Sequence, residues 1–384
     1  MLFDPSASVE SLYIHWPFCP YRCNFCPFVA LAGHDHFMEQ YHSALQKEII
    51  DYGKTRLVKK PIKTLFMGGG TPSTYPPVLL LDTFAILKDI FTFTPDSEIT
   101  IEVNPGTVDQ EKLETWKKAG INRLSIGVQS LDDAVLKKLN RHQSAEDVIN
   151  LLKQAQHLFD NLSVDLIIGL PEVTKERWKM DLAELMRWPL THISLYFLTV
   201  HEETPLYYGV KQKKIKLLPD DTLVDLYNWS VAFLKEHGFV QYEVSNFAKP
   251  GYESKHNSVY WNRSAYKGFG MGAASFDGKS RLQNDKRLLE YLEGITLGKN
   301  VTVMSELLTD DQVWLEKLML GVRQAKGVDV HELIGLLSVD KQLKFMQQIE
   351  LLSYEKFLTY DGFRAALTSK GLALASEITV QLSL

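Results

Sequence analysis

Short apolar runs and amphipathic segments alternate through the first two hundred residues of the chain. The apolar runs predict six β-strands, over residues 11–16, 62–67, 98–103, 123–128, 163–168 and 192–197. The segments between them repeat apolar residues with helical spacing and predict helices over residues 37–52, 76–91, 109–119, 132–140, 145–159 and 176–187. Strands that alternate with helices indicate an α/β fold with a parallel sheet. Six such units fit a partial (β/α)6 barrel of the TIM type, and alternation alone equally allows a doubly wound sheet.

The rhythm changes beyond residue 200. Residues 202–216 predict a loop and residues 220–237 an amphipathic helix, whereas residues 242–276 are dense in aromatic, glycine and amide residues, unlike a plain helix or strand. Helices are predicted again at 310–324, 331–337 and 341–352, followed by a strand pair at 357–360 and 363–367 and a helix from Ser369. We therefore expect three domains: a barrel (1–200), a mixed extension (201–300) and a small helical, winged-helix-like domain (301–384).

Composition narrows the class of protein. The 384 residues carry a formal net charge of −5 without a long basic run, so we expect no nucleic-acid partner. No apolar stretch approaches the roughly 20 residues that span a bilayer, and the first residues lack the pattern of a secretory signal peptide. These features predict a soluble, cytoplasmic protein.

The three cysteines of the chain lie within eight residues, as Cys19, Cys23 and Cys26 in the spacing C-x3-C-x2-C. Thiolates suit soft metals and iron–sulfur clusters. Three of them can hold three irons of a 4Fe-4S cubane and leave the fourth iron without a protein ligand, as an exchangeable site requires. Two alternatives stay open: buried free thiols, or a zinc site completed by His15, His34 or His36.

Polar and glycine residues follow the predicted strands at their carboxyl ends, where barrels of this kind carry their chemistry. Residues 68–72 (GGGTP) follow the second strand, and Glu102 lies near the end of the third. Gln129 and Arg141 come after the fourth strand, and Asp165 interrupts an apolar strand. Taken singly, each has a structural alternative: a tight turn, a solvated strand end, a partner for a helix dipole or a paired buried charge.

Taken together, these motifs resemble a known family. The stretch YIHWPFCPYRCNFCPF and the ordered motifs GGGTP, EVNPG, SIGVQS, LNR and DLIIGLP are similar to the radical S-adenosylmethionine (SAM) superfamily over nearly the whole chain. The similar branch contains the oxygen-independent coproporphyrinogen III dehydrogenases and the HemW heme chaperones. The resemblance implies a 4Fe-4S cluster on the three cysteines and SAM at the open iron. It also implies SAM contacts at Tyr13, Phe25, Gly69, Gly70, Thr71, Glu102, Gln129, Arg141 and Asp165.

Two features divide the branch. The hexapeptide 256–261 (HNSVYW) matches the H-N-x-x-Y-W motif of the HemW type, and Phe28 stands where the dehydrogenases carry a further cysteine. The resemblance therefore implies heme as a third ligand, with heme contacts at His256, Asn257, Tyr260 and Trp261. In one departure, Ala274 stands where relatives commonly carry a histidine that could also bind heme.

Two functions remain as expectations. The favoured one is a heme chaperone, not necessarily an enzyme, which passes heme to a respiratory hemoprotein, with peripheral membrane contact and a homodimer as further options. The alternative is a coproporphyrinogen dehydrogenase of porphyrin metabolism, which cleaves SAM to decarboxylate propionates. A different radical SAM enzyme or a zinc-stabilised binding protein is a third option.

Overall fold

A nine-stranded sheet organises the first three hundred residues, and the computed structural model describes residues 3–383. Met1, Leu2 and Leu384, at the ends of the first and third predicted domains, lie outside the described residues. Up to residue 197 the strands are β1 (Ser11–Trp16), β2 (Phe18–Cys19), β3 (Leu31–Ala32), β4 (Ile62–Gly69), β5 (Phe93–Val103), β6 (Arg123–Gln129), β7 (Asn161–Ile168) and β8 (His192–Phe197). The helices are α1 (Met38–Thr55), α2 (Pro77–Ile90), α3 (Gln110–Ala119), α4 (Asp133–Lys138), α5 (Ala145–Ala155) and α6 (Lys175–Leu185), with 3-10 turns at Asp35–Phe37, Pro72–Thr74 and Pro105–Thr107.

The middle of the chain adds elements to both edges of this sheet. They are α7 (Pro205–Lys211), α8 (Asp220–Glu236), β9 (Val240–Gln241), β10 (Asn246–Ala248), α9 (Lys255–Trp261), β11 (Lys267–Phe269), β12 (Ala274–Phe276), β13 (Ser280–Asn284), α10 (Leu288–Thr296) and β14 (Thr302–Leu307). Strands β12, β13 and β14 form a separate antiparallel sheet. The remaining elements are α11 (Asp310–Val322), β15 (Val328–Asp329), α12 (Val330–Ile334), α13 (Val339–Tyr354), β16 (Leu358–Tyr360), β17 (Arg364–Leu367), α14 (Ser369–Leu372) and α15 (Ala375–Leu382).

The strand order decides between the two architectures that alternation allowed. The sheet runs β11-β1-β4-β5-β6-β7-β8-β10-β9, and its six central strands are parallel neighbours in chain order. A doubly wound sheet would reverse direction at a switch point, so the predicted partial (β/α)6 barrel is confirmed. The barrel is not closed, because the sheet ends at two separate edge strands. β11 pairs with β1 at one edge, and at the other the antiparallel β10 pairs with β8 and with the edge strand β9.

Side chains alternate between the two faces of the barrel strands. In β6, Leu124 and Ile126 are fully buried in the layer of hydrophobic side chains under the helices, whereas Ser125 and Gln129 line the interior of the barrel. The interior is therefore polar, and the main apolar core lies between sheet and helices. That core runs from Ala7 to Ile295, and the C-terminal elements bury a second core of their own, from Trp314 to Leu382. The domain boundary expected at residue 200 stays a prediction, since residues on both sides share the first core.

Two local predictions change. Residues 202–216, predicted as a loop, contain helix α7, because Thr204 caps its amino end and Pro205 occupies the first turn. The sequence-based prediction of a loop rested on the composition of the whole segment and did not use this short helix-start signal. Residues 242–276, which the composition left without a regular element, contain α9 and short strands. Within residues 3–383, no helix combines the length and the apolar character needed to cross a membrane.

Helix α9, which carries the HNSVYW motif, packs inside the barrel near the amino ends of the strands. The Glu98 carboxylate accepts hydrogen bonds from the Lys255 N–H (3.0 Å), the His256 N–H (2.9 Å) and the Ser254 hydroxyl (3.3 Å). Glu98 is buried, and first-turn N–H groups of a helix have no partner within the helix. Glu98, on strand β5, therefore anchors the first turn of the motif helix.

This anchoring predicts the cost of removing Glu98. We expect Glu98→Ala to lower the free energy of unfolding by about 2–3 kcal/mol, because it leaves buried N–H donors without an acceptor. The matched control is Asp96→Ala, which removes an exposed ion pair to Lys255 (2.9 Å) and should cost under about 1 kcal/mol. Urea unfolding of the metal-free protein measures both. Equal losses in the two variants would show that Glu98 does not anchor the helix.

Candidate cofactor site at the carboxyl ends of the barrel strands

The cysteine loop follows β1 at the carboxyl edge of the sheet and is tied to its neighbours mainly through the backbone. The Asn24 N–H donates to the Leu139 carbonyl (2.9 Å), and the Leu206 N–H at the start of α7 donates to the Asn24 carbonyl (3.0 Å). At the far end of the loop the His15 ring contacts the Val29 carbonyl (2.9 Å). The loop thus has a fixed position relative to β1, α4 and α7.

The thiols lie in a partly buried polar setting. Cys19 and Cys23 are buried and Cys26 is half-buried. The Thr71 hydroxyl donates to Cys19 Sγ (3.2 Å), and Arg141 Nη1 donates to Cys23 Sγ (3.7 Å). Burial raises the pKa of the Cys19 thiol to about 11 and also raises that of Cys26. Thiolates at these positions therefore need a bound cation, and metal binding would release their protons.

The glycine segment after β4 lies directly against this loop. A Cβ built on Gly70 would stand 2.4 Å from the Pro17 carbonyl oxygen and 2.9 Å from Cys19 Sγ. Gly69 has φ +120°, in the region that favours glycine. A side chain at Gly70 would fill the space beside Cys19, so the glycine leaves backbone exposed to a ligand there.

A cavity of about 470 Å³ opens where the loop, the glycine segment and the strand ends meet. It collects all three cysteines and all but one of the SAM contacts that the resemblance implies. The predicted residues that line it are Cys19, Cys23, Cys26, Phe25, Gly69, Gly70, Thr71, Glu102, Gln129, Arg141 and Asp165. Parallel strands end at one edge, which explains why residues up to 146 positions apart in sequence (19 to 165) converge here.

Arginine and glutamine side chains complete one wall. Arg141 donates through Nη2 to the Gly127 carbonyl (2.6 Å) and through Nε to Gln143 Oε1 (2.9 Å), in addition to its contact with Cys23. Gln129 has φ +66° beside a register shift between β6 and β7. A non-glycine residue in this conformation is strained, and strained residues of this kind cluster at functional sites.

A second cavity of about 230 Å³ lies deeper in the barrel. It shares four lining residues with the first: Glu102, Ser125, Asp165 and Tyr196. Its other walls come from Tyr13, Phe66, Arg123, Ser194, His256, Asn257 and Tyr260. The two cavities are therefore neighbours, separated by shared side chains.

Glu102 and Asp165 form an acid pair between the cavities. Burial raises the pKa of Glu102 to about 8, and the charge of Asp165 adds to that shift, while the Gly69 N–H (3.1 Å) opposes it. Burial also raises the pKa of Asp165, against hydrogen bonds from Ser194 and Ser125 and the charge of Arg123. Because the charge of Asp165 raises the pKa of Glu102, ionisation of both carboxyls together is disfavoured.

Similarity to known proteins identifies the family of the chain. The radical SAM superfamily model matches residues 13–185. The heme chaperone HemW of Bacillus subtilis is 34% identical over 83% of this chain and 85% of its own length, and HemW of Lactococcus lactis is 30% identical over 96% of both. The chain belongs to the HemW family of radical SAM proteins.

The match extends to vertebrates and to a solved structure. A mitochondrial radical S-adenosyl methionine domain-containing protein of Bos taurus is 32% identical over 98% of this chain and 88% of its own length. The structure of coproporphyrinogen III oxidase (HemN) from Escherichia coli superposes with a TM-score of 0.85 at 25% identity, over 99% of this chain and 91% of that one. Membership in the radical SAM superfamily implies a 4Fe-4S cluster and SAM.

The residues present fit both groups. The donor set is three thiols, the ligands that iron–sulfur clusters use. No three His, Cys, Asp or Glu side chains of residues 3–383 converge around one ion. A cubane does not require such convergence, because each cysteine of a cubane binds a different iron. The glycine segment and Thr71 present backbone and hydroxyl groups beside Cys19, in the space that a Cβ on Gly70 would fill.

Three residues of the HemW motif, His256, Asn257 and Tyr260, lie away from the cysteines, in the inner cavity. His256 is fully buried and stacks on Phe66 with ring centroids 5.1 Å apart. Its Nδ1 pairs with the Thr64 hydroxyl (2.8 Å) and its Nε2 with the Tyr260 hydroxyl (2.8 Å). Burial lowers the pKa of His256 to about 3, so the ring is neutral. Both ring nitrogens are engaged, and iron could reach either only after a hydrogen bond breaks.

The other predicted ligand contacts are spread out. Tyr13 lines only the inner cavity, where its hydroxyl pairs with His15 Nδ1 (3.0 Å). Trp261 lines neither of these two cavities, and its carbonyl accepts from Gln324 Nε2 (3.1 Å) in the C-terminal region. Ala274 lies on β12, in the small antiparallel sheet.

Arg123 is a site residue that the sequence reasoning missed. It is fully buried and lines the inner cavity, and within residues 3–383 its guanidinium forms no ion pair or hydrogen bond. Its charge lowers the pKa values of Asp165 and His256 from a distance. Ser125 and Tyr196 were missed as well. Period-two alternation along β6 back from Gln129 reaches Ser125 and Arg123, and this signal was available in the sequence.

The raised pKa of Glu102 predicts the pH dependence of SAM binding. With a pKa of about 8, roughly one carboxyl in ten is ionised at pH 7 and nine in ten at pH 9. The predicted SAM contact at Glu102 would be a hydrogen bond from a ribose hydroxyl, which donates best to the ionised carboxylate. SAM affinity should therefore rise up to about tenfold over this range. Calorimetric titration of the anaerobically reconstituted protein measures it.

Two variants test this assignment. Glu102→Gln should bind SAM weakly and without pH dependence. Glu243→Gln is the matched control, because Glu243 is buried with a pKa raised to about 7 and lines neither of these cavities, so this variant should keep the wild-type profile. A pH dependence that survives in Glu102→Gln would assign it to another group.

Proposed function

We propose that this protein is a heme chaperone that carries a 4Fe-4S cluster on Cys19, Cys23 and Cys26, holds SAM exchangeably at the fourth iron, and passes heme to a respiratory hemoprotein. The main observation in support is that the three thiols line one cavity together with the glycine segment, while the chain contains no fourth thiol. The names of the relatives support heme as the cargo.

The proposal assigns roles to the residues around the cluster. Backbone groups at Gly69 and Gly70, with Thr71, hold the amino and carboxylate groups of SAM. Glu102 accepts from the ribose, and the remaining contacts come from Tyr13, Phe25, Gln129, Arg141 and Asp165. Bound SAM supplies a 5′-deoxyadenosyl radical if an electron from the cluster cleaves it, and the proposed chaperone role does not require that cleavage.

For heme, the HNSVYW motif gives the candidate contacts His256, Asn257, Tyr260 and Trp261. His256 as the iron ligand requires that its ring leave Thr64 or Tyr260 and that α9 move out of the barrel. Action in the cytoplasm and contact with an acceptor at the membrane are further parts of the proposal.

A second candidate function is oxidative decarboxylation of coproporphyrinogen III. The observation that favours it is the superposition on coproporphyrinogen III oxidase (HemN) over 99% of this chain. Against it, Phe28 stands where the resemblance implies a further cysteine in dehydrogenases, and its side chain is exposed.

Two anaerobic assays of the reconstituted protein separate these functions. We expect a saturable Soret-absorbing complex with hemin, transfer of that heme to a heme-depleted respiratory oxidase, and no protoporphyrinogen from coproporphyrinogen III, SAM and a reductant. Cys26→Ser, which removes one cluster ligand, controls for any turnover. Protoporphyrinogen formed by the wild type and not by Cys26→Ser would establish the enzyme instead, and absence of a hemin complex would refute the chaperone.

A further inference from the structure

Large aromatic side chains are exposed at the mouth of the cavity that the three cysteines line, which we call the cluster cavity. Phe28 is 65% exposed and Phe197 is 38% exposed, and both line the cavity that holds the cysteines. Tyr196 and Phe25 line it as well. Exposed apolar surface in a concave site commonly marks a ligand or partner surface. Flat rings on both the cysteine loop and the end of β8 favour a planar ligand.

An accessible histidine lies in the same lining. His201 follows β8, is exposed, and is the one histidine among the described residues that line this cavity. Its backbone carbonyl accepts from the Thr204 N–H (3.0 Å) and hydroxyl (2.6 Å), which fixes the residue at the start of α7. Within residues 3–383 its ring has no hydrogen-bond partner. The backbone is therefore held while both ring nitrogens are available.

A positive charge stands beside Phe28. Arg22 lines the cavity and donates from Nη1 to the Ala30 carbonyl (3.2 Å) and from Nη2 to the Phe28 carbonyl (3.5 Å). Among the residues described, no carboxylate forms an ion pair with Arg22. An arginine held by its own loop and lacking an acidic partner can pair with a carboxylate of a ligand.

We propose that heme binds across the mouth of the cluster cavity, with His201 as an axial ligand of the iron, the macrocycle against Phe28 and Phe197, and a propionate at Arg22. The inference rests on the proposed function and names the site of its cargo. Histidine is a common axial ligand of heme iron, and His201 offers free ring nitrogens where His256 offers none. Ligation by His201 therefore does not need the movement of α9 that ligation by His256 would require.

Substitution of the two histidines tests the assignment in the full-length, anaerobically reconstituted protein. Hemin is titrated and followed by difference absorption against the heme-free protein. We expect His201→Ala to weaken hemin binding by about tenfold or more, and to weaken it more than His256→Ala does. His157→Ala, at an exposed histidine that does not line the cavity, is the matched control and should behave as wild type.

A ligand exchange keeps the test independent of folding. His201→Tyr should bind hemin with the ferric spectrum of tyrosinate-ligated heme, which resonance Raman and electron paramagnetic resonance distinguish from histidine ligation. A wild-type spectrum in His201→Tyr, or loss of binding only in His256→Ala, would overturn this inference and leave the chaperone proposal standing. Absence of hemin binding by the wild type would instead refute the proposed function itself.

Discussion

The close approach of the glycine segment to the cysteine loop is the contact on which the rest of the site depends. Gly70 lies so near Pro17 and Cys19 that a Cβ would collide with both. This contact fixes where the thiols stand relative to the ends of β4 and β5, and it leaves backbone polar groups facing the space beside them. Because the same edge carries Glu102, Gln129 and Asp165, a ligand at the thiols also meets the acid pair.

The polar interior of the barrel follows from the same architecture. Apolar side chains on one face of each strand pack under the helices, so the opposite face is free to carry charged and hydroxyl groups. As a consequence, this arrangement buries four ionisable side chains, those of Glu102, Asp165, Arg123 and His256. The pKa values of Glu102, Asp165 and His256 move away from the usual range because burial disfavours charge. Helix α9 closes the amino end of this interior and is held there by Glu98.

The sequence allowed most of the barrel to be predicted, because strand periodicity and the carboxyl-edge rule act locally along the chain. Gly70, Glu102 and Asp165 were placed at one edge by these rules, and the structure brings them to one cavity. The position of His256 could not be predicted in this way. Its motif indicates chemistry but contains no information about which end of the barrel its helix enters, which depends on long-range contacts to Thr64 and Glu98. His201 was missed for a related reason: it is unremarkable in sequence and gains its role only from the residues that surround it in the fold. Arg123, in contrast, could have been found from the alternation along β6.

The central claim is that the chain leaves one iron of a 4Fe-4S cluster open to SAM beside the glycine segment. Electron–nuclear double resonance of the reduced, anaerobically reconstituted protein with SAM labelled with nitrogen-15 at its amino group tests this most directly. We expect a hyperfine coupling between the cluster and the labelled nitrogen. A cluster that shows no such coupling while SAM is bound, or one in which side chains of the protein ligate all four irons, would contradict it.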